Sequence, residues 1–191
     1  MPRASAAAAA RTAQQVLDVA SGLFASRGFS EVSLDDVARA AGVTRGAVYH
    51  HYGNKPGLFR AVAARLQARV ADAVVEAAER AGADPRAQLS AGSHAFLDAV
   101  TSGPAVRVLL VDAPAVLGWQ EWRRLDAENS GMHLQDVLRE IGVGDDLLGA
   151  MSAQLSGAMN EAALWIAERD DAEARRSAHS ALERLLAAVA P

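Results

Sequence analysis

The chain has 191 residues, no cysteine, 19 basic and 23 acidic side chains, and a formal net charge of −4. That length holds one large domain or two small ones, and the absence of cysteine excludes both a disulfide framework and a Cys-ligated zinc. No apolar run approaches the ~20 residues that span a bilayer. The alanine run at 6–10 is too short and too weakly apolar for the core of a signal peptide, so the sequence reads as that of a cytoplasmic protein. Hydrophobic residues reach 51% mainly through alanine, the strongest helix former and a poor core filler. With six prolines, the composition predicts an all-α chain. Charge divides unevenly: residues 1–60 hold seven basic and four acidic groups, a net of +3 against −4 overall. A basic N-terminal third on an acidic chain permits contact with a polyanion there.

In chain order, residues 1–10 are expected to form a disordered tail. A first helix starts at Thr12, with Thr12 and Gln15 as a capping box. It buries Val16, Leu17, Ala20, Leu23 and Phe24 and ends at Gly28 in a left-handed conformation, with Phe29 folding back. Ser33 caps a second helix whose inner face is Leu34, Val37, Ala38 and Ala41. Gly42 turns the chain, Thr44 caps a short third helix, and Asn54 caps a fourth helix reaching about residue 81, with Pro56 in its first turn. Gly82-Ala83-Asp84-Pro85 stops one helix and starts the next. Further helices are expected near 86–101, 105–111, 118–140, 146–168 and 171–189. The prediction is about nine helices in two parts, a three-helix unit at 1–54 and a helical bundle at 55–191.

The N-terminal part has the pattern of two helices crossing steeply around a tight turn: small Ala38, turning Gly42, and Val43 and Val48 in the angle between them. The second helix of that pair then presents its N-terminal residues to a major groove. Arg45 suits bidentate pairing with guanine, and Gly46 and Ala47 let the backbone approach closely. Thr44 is exposed with them, Tyr49 and His51 suit phosphate contacts, and His50 suits a phosphate or a base edge. Ser33 offers its hydroxyl and backbone N–H groups to a phosphate. Lys55, the one lysine in the sequence, stands at the start of the fourth helix, where ammonium and helix dipole both favour an anion.

The run from Val37-Ala38 through Gly42-Val43-Thr44-Arg45-Gly46-Ala47-Val48-Tyr49-His50-His51-Tyr52-Gly53-Asn54-Lys55 to Leu58, preceded by Phe24 and Gly28-Phe29, resembles the tetracycline-repressor (TetR) family over about residues 12–62. Tyr52 stands where phenylalanine is commoner, and Gly57 where glutamate or aspartate is common. The resemblance implies a homodimer on palindromic double-stranded DNA and an effector cavity in the C-terminal domain. It also implies a dimer interface built from the eighth and ninth predicted helices, whose stripes are Leu148, Met151, Leu155, Met159, Ala162 and Ile166, and Ala174, Ala178, Ala181, Leu182, Leu185 and Leu186; the alternative is that the stripes pack within their own domain.

For the cavity, Trp119 and Trp122 beside the broken segment at 109–124, which begins with Leu109, suit an aromatic or hydrophobic effector or a cation; the same pair equally suits core or interface anchors. Further candidates are His94, Phe96, Met132, His133, Met159, Asn160 and Trp165, of which Asn160 is a polar side chain in an apolar stripe. A constitutive DNA binder or activator without a small ligand stays open. An enzyme is not expected. There is no His-Glu-x-x-His, phosphate loop or Gly-x-Ser-x-Gly, and His50 and His51 diverge by about 100° on a helix. No metal or cofactor is expected either.

Overall fold

The computed structural model describes residues 2–189; Met1 of the expected tail and residues 190–191 of the expected C-terminal part lie outside them. Among the described residues ten α-helices follow one another: α1 (Pro2–Glu31), α2 (Leu34–Ala40), α3 (Arg45–Tyr52), α4 (Lys55–Arg80), α5 (Pro85–Val100), α6 (Ala113–Leu117), α7 (Trp119–Asp126), α8 (Met132–Ile141), α9 (Asp145–Arg169) and α10 (Ala172–Val189). Two π-helical segments, Val106–Asp112 and Ala127–Gly131, lead into α6 and α8. The described residues contain no strand, as the composition predicts. Among the described residues no helix is long and apolar enough to cross a membrane.

Two expectations at the N-terminus do not hold. The helix does not begin at Thr12 but runs from Pro2, through the residues expected as a tail, because an alanine run extends a helix at no side-chain entropy cost. The Thr12–Gln15 capping box is therefore absent. Thr12 Oγ1 donates back to the Ala8 carbonyl at 3.1 Å, and Gln15 Nε2 donates to the Ala41 carbonyl at 2.9 Å, tying α1 to the end of α2. The predicted helix at 118–140 is divided into α7, the second π segment and α8. Ala113-Pro114 opens α6 with proline in the first turn, where its missing N–H is harmless.

α1, α2 and α3 pack around Val16, Ala20, Phe24, Val37 and Val48, and α4 enters the same core with Leu58 and Phe59. Phe59 meets Phe24 and Phe29 edge-on, each at 5.1 Å between ring centroids. Tyr52 adds a bond that phenylalanine would lack, its hydroxyl donating to the Ala13 carbonyl at 2.8 Å. The apolar core then continues without a break along α4, α5, α8 and α9 to Leu182 and Leu186 of α10.

Gly28 does break α1, but at φ 80° and ψ 167°, an extended backbone with positive φ rather than the left-handed helical cap expected. A Cβ at Gly28 would collide with the Arg107 guanidinium. The freed N–H of Phe29 donates to Asp112 Oδ2 at 3.0 Å, and Arg107 lies 3.8 Å from the same oxygen. The break thus fastens the N-terminal unit to the first π segment. Gly28→Ala forces an L side chain into a backbone conformation that only glycine adopts readily, and displaces the Arg107 side chain; it should destabilise by about 1–3 kcal/mol. A urea midpoint matching that of the native chain would contradict this account.

Candidate nucleic-acid interface and cavity

α2 and α3 form the pair foreseen from the spacing. Ser33 Oγ accepts from the Asp36 N–H at 3.1 Å while Asp36 Oδ2 accepts from the Ser33 N–H at 3.0 Å, a complete capping box. Gly42, at φ 65°, makes the turn, and the Val43 N–H closes onto the Ala38 carbonyl at 3.0 Å. Thr44 Oγ1 accepts from the Ala47 N–H at 3.2 Å and starts α3. Val48 is fully buried and anchors α3, leaving Thr44, Arg45, Gly46, Tyr49 and His50 exposed on one side. His51 and Lys55 are half-buried.

Several of these side chains are already engaged. Arg45 bonds Asp35 Oδ2 at 3.1 Å and the Tyr49 hydroxyl at 3.0 Å, with its guanidinium over the Tyr49 ring. Both contacts lie in solvent, where they are weak. Lys55 Nζ donates to the Ser30 carbonyl at 3.0 Å and sits 4.4 Å above the Phe29 ring, which uses part of its donor capacity. The Ser33 hydroxyl donates to Asp36 at 2.6 Å; Ser33 and Arg39 hold that carboxyl below the usual carboxylate range. The anion at the start of α2 is thus the protein's own. A Cβ on Gly46 would meet nothing nearer than Thr44 Oγ1 at 3.9 Å, so the fold itself does not demand glycine there.

The C-terminal part contains a cavity of about 220 Å³ between α4, α5, α8 and α9. Of the ten sequence candidates, Phe96, His133 and Met159 line it, and the other seven do not. His94 turns to α10, where its Nδ1 meets His179 Nδ1; its Nε2 meets Glu183, and His179 Nε2 meets Asp98 at 3.1 Å. Trp122 is buried with its indole N–H donating to the Leu109 carbonyl at 2.7 Å, which makes both residues structural. Trp119 stands 64% exposed against Trp122. Trp165 lies under the Arg169 guanidinium, and Met132 faces solvent. Asn160 is buried with Oδ1 unpartnered, beyond the cavity lining.

Sequence reasoning missed the acid in this cavity. Asp126 ends α7 with 7% exposure and accepts from Ser156 Oγ at 3.3 Å. Burial pushes its pKa up, with Arg123 and Ser156 opposing. Nothing in Arg123-Arg124-Leu125-Asp126 signals burial, because the π segment that follows redirects the chain. The predicted dimer stripes need correcting as well. Leu148, Leu155, Met159 and Ile166 on α9, and Ala174, Ala178, Leu182 and Leu186 on α10, are buried within this chain; Ala181 and Leu185 face outward. Among the described residues no group of three or more His, Asp or Glu is placed to hold a metal.

A family model for the C-terminal domain of tetracycline-repressor-like proteins matches residues 86–189, and the model for tetR-family bacterial regulatory proteins matches residues 16–62. The chain belongs to the tetracycline-repressor family. A TetR-family transcriptional regulator of Pectobacterium atrosepticum is 31% identical, with 96% of each chain covered and a TM-score of 0.74. The curated relatives match over shorter stretches. The regulator SrpR of Pseudomonas putida is 46% identical over 67 residues, 35% of this chain and 32% of its own length. AcrR of Shigella flexneri is 38% identical over 85 residues, 44% of this chain and 40% of its own length. The chain therefore spans less than half of either.

Asp126 gives this TetR-family chain a pH signature. Its folded-state pKa lies above the unfolded value, so its contribution to stability is present at acid pH and lost as pH rises through the folded value. Asp126→Asn, which never ionises, should raise the melting temperature at pH 7, by about 2–4 °C for each kcal/mol relieved. The gain should shrink as pH falls toward the usual aspartate range. Thermal unfolding of both proteins across pH 4–8 reads this directly; an unchanged or lower value at pH 7 would refute it.

Proposed function

We propose that the protein is a ligand-responsive transcriptional repressor that binds a palindromic operator as a homodimer and releases it when a small effector fills the cavity. The observation that carries the reading is the solvent face of α3: Arg45, Gly46, Tyr49 and His50 are exposed on a helix pinned from behind by Val48. Arg45 would leave Asp35 to pair with a guanine in the major groove. Tyr49, Thr44, His51 and Lys55 would meet phosphates, with Lys55 keeping its hold on Ser30 through one of its three donors. Gly46 allows the helix backbone to approach the bases.

Dimerisation through the outward faces of α9 and α10 would space two recognition helices for successive half-sites. Exposed Leu147 and Leu185, together with Gly157, whose missing side chain leaves open space, fit a close contact between copies. Coupling has a physical route. Asp126 in the cavity wall ends the helix that carries Trp122, Trp122 is bonded to Leu109, and the π segment holding Leu109 reaches the Phe29 N–H through Asp112. A ligand that favours one packing of α7 over another would shift the angle at Gly28.

Two measurements test this. Fluorescence anisotropy with the chain's own upstream DNA should give tight, salt-dependent binding. Arg45→Ala should lose about 1–3 kcal/mol of discrimination at one base position, while Asp35→Asn, which frees Arg45 and removes a nearby anion, should tighten binding. Gly46→Ala should weaken binding without lowering the melting temperature. A screen of small molecules should then find at least one that raises the melting temperature and releases the DNA. No binding to any selected duplex would sink the regulatory reading, and binding that no compound reverses would leave a constitutive regulator.

A further inference from the structure

The cavity carries more acid than apolar packing requires. Its walls are apolar, with Leu89, Phe96, Leu134 and Met159, yet four carboxylates line it and His133 is the one basic residue among the described lining residues. Glu79, Asp136 and Glu140 are exposed at the mouth. Arg139 matches Asp136 at 3.0 Å. Asp126 is different in kind, because it is more than nine-tenths buried.

A buried carboxylate is ordinarily paired with an opposite charge or several hydrogen bonds. Asp126 has the Ser156 hydroxyl at 3.3 Å, near the long limit for such a bond. Arg123 acts on it through space, forming no ion pair with it within 4.0 Å among the described residues. The chain thus leaves an acceptor in an apolar wall without a cationic neighbour at contact distance. Burial raises the pKa of this carboxyl, which is how an under-compensated anion registers.

We propose that the cavity takes an organic cation, an amine or quaternary ammonium on an apolar body, with its charge against Asp126 and its body along Phe96, Leu134 and Met159. This rests on the effector reading above. The Phe96 ring adds a face on which a cationic centre is attracted. The acids at the mouth favour entry of a cation, by an amount that falls with salt. An anionic ligand of the same shape would meet all four carboxylates.

The test uses three probes with one apolar body: 4-phenylbutylamine, 4-phenylbutan-1-ol and 4-phenylbutyrate. Their affinities for the full-length protein are measured by calorimetry at neutral pH, with anisotropy of the protein–DNA complex read in parallel. The amine should bind about tenfold tighter than the alcohol, equivalent to about 1.4 kcal/mol, and the carboxylate weakest. Asp126→Asn should remove most of the amine's advantage and leave the alcohol unchanged. If that variant fails to fold, the ranking on the native chain still decides, and the surface variant Glu140→Gln should lower amine affinity modestly and only at low salt.

Equal or tighter binding of the alcohol or carboxylate overturns the cation assignment, as does no binding of any probe. If either of those two probes binds and releases DNA, the effector reading survives that failure. Preferred amine binding that leaves the DNA complex intact supports the cation site and overturns the effector reading instead.

Discussion

At Gly28 the first helix breaks while its chain stays in the core, and the rest of the molecule is organised around that break. The positive φ frees the Phe29 N–H, which Asp112 captures, and turns the Phe29 ring onto Phe59 beside Phe24. Phe59 belongs to α4, the helix shared by the N-terminal unit and the cavity wall. One kink therefore fixes the helix-turn-helix against both the long connecting helix and the first π segment. The Arg107 guanidinium occupies the space that a side chain at Gly28 would need, and its ion pair with Asp112 braces the same joint.

The proposed reading face follows a different physical logic. α3 is a short helix held by one fully buried side chain, Val48, and by the Tyr52 hydroxyl on Ala13. Its exposed residues are held by weak contacts in high dielectric, such as Arg45 with Asp35. Such contacts order a side chain in the free protein yet exchange readily for stronger partners. Rigid support from behind and replaceable contacts in front suit a surface that meets a polyanion.

In the cavity the balance is reversed. Asp126 is buried, and its stabilisation by Ser156 and Arg123 is incomplete. The π segment after Asp126 is what places it there: Gly131 folds back on the Asp126 carbonyl so closely that a Cβ would lie 3.3 Å away. π-helical turns recur at functional sites because they re-aim the residues beside them. Opposite this wall, α5 and α10 are joined by a polar network in which Ser90 and His94 hold the Glu183 carboxyl below its usual range. The cavity wall and the helix proposed for dimerisation are therefore connected through side chains.

The sequence by itself determined the helical class, the positions of most caps and turns, and the helix-turn-helix. Each depends on residues close together in the chain: Ser33 with Asp36, Gly42 with Val43, Asn54 with Pro56. Apolar periodicity also found the buried stripes of α9 and α10, but it could not say whose core they fill, since a stripe looks the same packed within a chain or between two. Tertiary structure decided that most of both stripes turns inward. It also decided that Trp122 is an anchor rather than a ligand wall, that His94 faces His179, and that Asp126 lies inside. These depend on the path of the chain through two π segments, where one extra residue per turn rotates everything that follows, and no local pattern in the sequence records that rotation.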